Sequence, residues 1–235
     1  MDYILLPSTI EFKETEKKNV GEVIITPCHQ GYGTTLGNSL RRVLLSSIEG
    51  AAVEAVKIEG VQHEFSATEG VLEDMVEIIL NLKKLAVISH SDQPVTLSLT
   101  KKGKGEVTAA DFEKNADIEI MNPEMKIATV TDDKKKFNME IIIGKGLGYV
   151  PAAEKESKNL DLGTMVIDSF YSPIKDVGYS VENTRVGDVT DYEKLTLTIE
   201  TNGTISSKEA VVRATKILMD HYKLVLDTAE GGQKE

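Results

Sequence analysis

The residues that first invite chemistry are the glycines Gly31, Gly33 and Gly37, set at the start of a helical stretch. Glycines before a helix let backbone N–H groups approach a phosphate, whose charge the helix amino terminus favours. The spacing is G-x-G-x-x-x-G, however, not the G-x-G-x-x-G of dinucleotide sites, and no parallel βαβ unit follows. A tight strand-to-helix turn needing positive φ explains these glycines more simply. A nucleotide-binding enzyme built on the 31–37 loop stands as the weaker alternative. Gly144-Lys145-Gly146-Leu147-Gly148 lacks both the Walker spacing and its Gly-Lys-Ser/Thr ending, so it reads as a hairpin or loop.

Metal and nucleophile chemistry fare no better. His63-Glu64 is not HExxH, and Cys28-His29 has no further ligands at metal spacing. His90 and His221 stand alone in the sequence. Ser46-Ser47 lacks a G-x-S-x-G elbow. The acid pairs Asp132-Asp133 and Glu73-Asp74 read as solvated charge. No catalytic residue, cofactor site or metal site is assigned.

Composition narrows the classes further. A net charge of −11 and a pI near 5.0 argue against a surface built to neutralise phosphates. The basic runs are short, so direct reading of DNA by this chain is not expected. The single Cys28 forms no intrachain disulfide, which fits a reducing cytosol. No run approaches eighteen apolar residues, and the first residues lack the basic region of a secretory signal. A cytoplasmic protein without a membrane partner is expected.

The elements that would position any functional residue are legible as a coarse pattern. EVIITP (22–27) is a strand. Thr34 or Thr35 is placed to cap a helix running to about Ile48. AAVEAVKIEG (51–60) alternates as a strand, and VQHEF (61–65) reads as a short second one. Ser66 and Glu69 have capping-box spacing before a helix at about 70–83. From 86 to about 150 the period is two, with VTLSLT, ADIEI, KIATVT and FNMEIII as strands. The 151–161 segment is polar and reads as mobile. MVIDSFYSPI (165–174) leads into two long strands, and Ser206 with Glu209 opens a last helix over about 207–227. TAEGGQKE at the end reads as a disordered tail. Strands outnumber helices without βαβ alternation, so the class is α+β. One economical reading of the pattern is a discontinuous domain, 1–49 and 177–228, with long helices packed on an antiparallel sheet. A mostly-β domain, 50–176, is inserted in it, and 229–235 begins a linker.

Both long helices carry more apolar surface than one contact needs. On a helical wheel Leu36, Leu40, Val43, Leu44 and Ser47 share one side. Asn38, Arg41, Arg42, Leu45 and Glu49 share the other, where a leucine between arginines is either an ordinary exposed leucine, which is common, or an anchor with the composition of an interface centre. In the last helix Ala210, Val211, Ala214, Ile217, Leu218 and Val225 form one stripe. Val212, Met219 and Leu226 form another. A helix apolar over so much of its circumference needs cover on two sides, and a second copy is the simplest cover.

GYGTTLGNSLRRVLLSS (31–47) is similar to the signature helix of bacterial RNA polymerase α subunits. The resemblance continues through VEIILNLK, VTAAD, GYVPA, YSPI and ETNGTI, in the family's order and over essentially the whole chain. It implies a homodimer formed by the first and last long helices, on which the large β and β′ subunits assemble for transcription. Polymerase catalysis would belong to those subunits and DNA contact to the whole complex, giving a location at the nucleoid. Arg42 corresponds to a β-contact residue of the family, with Leu45, Asn38 and Arg41 on its face. The dimer interface is expected at Leu36, Leu40, Val43, Leu44, Ile217, Leu218 and Val225. Glu77, Leu80, Asn81 and Lys83 fall in a further region that contacts the large subunits. TAEGGQKE lies where the family's linker to a carboxy-terminal DNA-binding domain begins, so that domain's contacts are not carried over.

Overall fold

Two antiparallel strands open the chain, β1 (Thr9–Glu14) and β2 (Val20–Cys28), with Thr9 opposite Thr26. The computed structural model describes residues 4–155 and 161–231. Val23 and Ile25 of β2 are buried, as period-two alternation demands of a strand with one covered face. Helix α1 (Tyr32–Ser46) follows a turn at Gly31, whose φ is 84°. Neither Thr34 nor Thr35 caps it. Gly31 takes the cap position, and the Thr35 hydroxyl instead donates to the Gly31 carbonyl at 3.0 Å. The helix stops at Ser46, earlier than expected, because Ile48 turns into the core at 1% exposure.

The next stretch builds a separate β-rich unit. Its elements are β3 (Glu49–Ile58), α2 (Met75–Leu82), β4 (Val87–Ser89), β5 (Val95–Lys102) and β6 (Gly105–Thr108). They continue with β7 (Ile118–Ile120), β8 (Lys126–Val130), β9 (Lys136–Leu147), β10 (Tyr149–Val150), β11 (Met165–Val166) and β12 (Ser169–Phe170). The main sheet has the order β5-β9-β3-β4-β7, with β11 also pairing β3, and β6–β8 and β10–β12 form two small ribbons. All these pairings are antiparallel. The core sets Met75, Ile78 and Leu82 of α2 among Ile127, Phe137, Met139, Ile141 and Ile143.

Three expectations fail here for local reasons. VQHEF is not a strand: Val61 is buried, but Phe65 is 81% exposed and the segment is turn-like. The helix expected at 70–83 begins only at Met75. Gly70 has φ 75°, outside the helical region, and Ser66 pairs with the His63 ring instead of capping. Asp74 is the true cap, accepting from the Glu77 N–H at 2.7 Å. The Gly-Lys-Gly stretch is the end of β9, not a loop. A Cβ at Gly146 would come within 2.8 Å of the Tyr171 ring, so the glycine marks close packing. Within 151–161, Ala152–Glu154 form a short 3-10 turn, while residues 156–160 lie outside the described residues.

The chain then returns to the first strands with a long hairpin, β13 (Ile174–Val186) and β14 (Val189–Thr201). These complete a second antiparallel sheet in the order β1-β2-β14-β13. Leu195, Leu197 and Ile199 are fully buried in alternation. Helix α3 (Ser207–Ala229) closes the fold, with the Ser206 hydroxyl accepting from the Glu209 N–H at 3.1 Å. It continues past Thr228, where a disordered tail was expected, and residues 232–235 lie outside the described residues. Helix α1 packs on β13 and β14, and α3 packs on β2 and on α1. By contacts, the chain divides into Met1–Ile48 with Pro173–Glu235, and Glu49–Ser172.

Candidate assembly surfaces

Helix α1 sorts its side chains by depth. Leu40 and Leu44 are buried at 6% and 0%, against Leu195, Ala210 and Ala214. They are core of the single chain and have almost no surface left to give a partner. Leu36, Val43 and Leu45 are half-buried and pack on the same core. Leu45 is thus less exposed than its position on the wheel implies. Asn38, Arg41 and Arg42 are exposed, and the two arginines differ in use. The Arg41 Nε donates to the Val177 carbonyl at 2.9 Å, fastening α1 to the edge strand β13.

The glycines at the start of α1 are occupied by a carboxylate of this chain. Glu193 Oε1 accepts from the Gly31 N–H at 2.9 Å, and Oε2 from the Gly33 N–H at 2.8 Å. A phosphate there would meet a negative charge already in place. Burial pushes the neighbouring Cys28 thiol up, and the Glu193 charge adds to the effect. Such a thiol is protonated and inert near neutral pH. Glu193 escaped sequence reasoning because nothing in its own segment marks it as a helix cap.

Helix α3 is buried only in its first half. Ala210, Val211 and Ala214 are covered, Ile217 and Leu218 are half-buried, and every residue from 219 to 230 is exposed. Met219 is 64% exposed, Tyr222 62% and Val225 66%. Beside this exposed half runs an apolar groove of about 570 Å³, bordered by Ile10 and Phe12 of β1, Leu36 of α1, and Leu218 and Met219 of α3. The contribution of β1 and Tyr222 was not read from the sequence. Their weak local alternation and isolated aromatic gave little signal.

In the β-rich unit, α2 turns Met75, Ile78, Ile79 and Leu82 inward and leaves Glu77 and Leu80 exposed. Asn81 Nδ2 donates to the Ile127 carbonyl at 3.1 Å, a structural role. Lys83 pairs with Asp168 at 2.8 Å, and Asp168 also accepts from the Ala152 N–H at 2.9 Å. Both donors hold the Asp168 carboxyl below its usual 3.8. Beside them Lys155 donates to the Ile167 carbonyl and to Ser169, and stands 5.9 Å from the centre of the Tyr171 ring. Burial lowers the pKa of its ammonium, while Glu54 and Asp168 pull it back up. The Tyr171 hydroxyl donates to Glu54 Oε1 at 2.6 Å, and burial with that carboxylate pushes the phenol above its usual 10. The VEIILNLK, GYVPA and YSPI motifs, far apart in sequence, meet here.

The histidines do not converge. His29 stacks edge-on with Tyr32 and Tyr192, His63 bonds Ser66, and His221 Nδ1 lies 2.7 Å from the Ile217 carbonyl. Among the described residues no three His, Cys, Asp or Glu side chains gather as a metal site, and no helix is long and apolar enough to cross a membrane.

Comparison with known proteins agrees with the motifs. The family described as "RNA polymerase Rpb3/RpoA insert domain" matches residues 56–172. A protein of Symbiobacterium thermophilum named DNA-directed RNA polymerase subunit alpha is 49% identical over 215 residues, spanning 92% of this chain and 68% of that one. A protein of the same name from Alkaliphilus metalliredigens is 46% identical over 224 residues, spanning 95% of this chain and 71% of its own. With two antiparallel sheets, a matched insert domain and near-complete alignment, the chain belongs to the α subunit family of DNA-directed RNA polymerase.

Proposed function

We propose that this chain homodimerises through α1 and α3 and serves as the platform on which the β and β′ subunits of RNA polymerase assemble, without catalytic residues of its own. The observation that carries the reading is the exposed half of α3 beside the apolar groove. Met219, Val225 and Leu226 stand in solvent at 64%, 66% and 55% exposure, an arrangement a lone soluble chain has no reason to keep. A two-fold axis resolves it economically, because each copy offers both a helix and a groove. Leu36, Val43, Ile217, Leu218 and Val225 retain surface for such a contact, whereas Leu40 and Leu44 would support it from beneath. In the dimer two equivalent faces bearing Arg42 and Leu45 become available, and an asymmetric polymerase would use them on different large subunits. Glu77, Leu80 and Lys83 offer a second contact on the β-rich unit.

The test separates folding from association. Val225 makes no use of the chain's own core, so Val225→Glu leaves both cores folded and costs at most the helicity of the exposed half of α3. It buries an unpaired charge at the two-fold contact, at a cost of several kcal/mol. Light scattering should report a dimer for the parent chain and a monomer for the variant. A soluble dimer of Val225→Glu would overturn the interface. Recovery of no large subunits in a pull-down with the parent chain would overturn the platform.

A further inference from the structure

We propose that Glu193 is the positioning residue of α1: its carboxylate is the resident anion at the helix amino terminus, and it sets how the Arg42 face is presented. The consequence for assembly rests on the platform reading above; the capping itself does not.

A helix begins with N–H groups that have no partner inside it and a partial positive charge. The usual remedies are absent in α1, which has no acidic residue in its first turn and a side-chain-free residue at its cap. The remedy comes from β14 instead, as two hydrogen bonds of 2.9 and 2.8 Å from Gly31 and Gly33 to one carboxylate. The surroundings are built for that contact. A Cβ at Gly33 would fall 2.8 Å from Glu193 Oε2 and 3.0 Å from Val181 Cγ1, so a side chain there would push the carboxylate off its two N–H donors. The register between β14 and β2 shifts between Glu193 and Leu195, placing Glu193 opposite Cys28 at the end of β2. The carboxylate therefore stands where the chain turns into the helix.

The far part of α1 is fastened independently, by Arg41 to the Val177 carbonyl at 2.9 Å. Glu193 and Arg41 together fix the helix to the two strands of one hairpin. Gly33 and Arg42 are separated by about 14 Å of helix axis. A helix whose first turn frays or shifts loses the rigid reference that aims Arg42.

The test uses the full chain with Glu193→Ala and Glu193→Gln, and Arg42→Ala for comparison. Glu193→Ala should lower Tm by about 2–4 °C and speed amide exchange at Gly31 and Gly33. Sodium acetate should slow that exchange again in Glu193→Ala, where sodium chloride of equal ionic strength does not, and should leave the parent chain unchanged. Capture of the β subunit well below Tm should fall in Glu193→Ala and recover with acetate, while Arg42→Ala stays defective in acetate. Unchanged exchange at Gly31 and Gly33, or losses indifferent to acetate, would overturn the capping. Undiminished β capture by Glu193→Ala beside a defective Arg42→Ala would overturn the positioning role. Normal capture by Arg42→Ala would instead refute the assembly reading and leave the acetate result to judge the cap. Should Glu193→Ala be insoluble, exchange at Gly31 and Gly33 in Glu193→Gln decides: accelerated exchange supports the cap and parental exchange overturns it.

Discussion

Arg41 and Arg42 are adjacent and alike, yet the fold gives them opposite roles. The Arg41 guanidinium is spent inside the chain on the Val177 carbonyl, whereas Arg42 is exposed. Arg41→Ala should therefore cost about 1–3 kcal/mol of stability in urea unfolding, the range of a charge-assisted hydrogen bond. Arg42→Ala should stay within about 0.5 kcal/mol of the parent chain and lose β capture instead. Equal stability losses for the two would refute this division. Glu73 supplies a pH signature. Burial alone would raise its pKa, but Lys126 at 3.0 Å and the Thr129 N–H and hydroxyl at 2.6 and 2.9 Å bring it below the usual 4.5. A carboxyl with a depressed folded-state pKa stabilises the chain above its unfolded value, and that stability is lost as pH falls through the folded value. Glu73→Gln should thus lower stability at pH 7 and flatten its decline below about pH 4.5. A pH series of urea midpoints that stays parallel to the parent's would count against it.

At the scale of elements, α1 lies on its sheet through its glycines. Gly37 is buried, and a Cβ there would stand 2.8 Å from the Tyr179 ring and 2.9 Å from Leu195 Cδ1. In a free helix, alanine would gain about 1 kcal/mol over glycine. Here the overpacking should dominate, so Gly37→Ala is expected to destabilise by about 1–3 kcal/mol. A rise in the unfolding midpoint would show that the helix relaxes away from the sheet. Helix α3 is the complementary case. Its first half is held by burial of Ala210, Val211 and Ala214, whereas the exposed half has little beyond its own hydrogen bonds. Short isolated helices are marginal in water, so a partner's cover would stabilise the element as well as join two chains.

At the scale of the whole molecule, the described residues gather into two hydrophobic cores. One runs through Met75, Ile78, Phe137, Ile141 and Ile143, and the other through Val23, Leu44, Leu195 and Leu197. Strand β3 makes its pairings with β4, β9 and β11 entirely inside the Glu49–Ser172 unit. That segment, expressed alone, should unfold cooperatively in urea with near-coincident transitions by fluorescence and circular dichroism. A non-cooperative profile would show that its core needs the rest of the chain. The net charge of −11 weighs against a surface built to neutralise phosphates, in keeping with the proposed role in protein assembly.

Local signals in the sequence determined much of this. The apolar stripe of α1, the alternation of β9 and β14, and the Ser206 cap to Glu209 all act between residues a few positions apart. So did the excess apolar surface of α3, because a wheel counts faces without needing to know what covers them. Tertiary structure alone decided what those faces meet. Whether Leu40 is core, whether Arg41 or Arg42 is free, and whether Asp74 or Ser66 starts α2 depended on which surfaces came together. The glycines at 31 and 33 show the reason most plainly. Their spacing marks a turn, but the anion they bind is Glu193, brought from β14 by a register shift. A contact between residues some 160 positions apart leaves no periodicity to read.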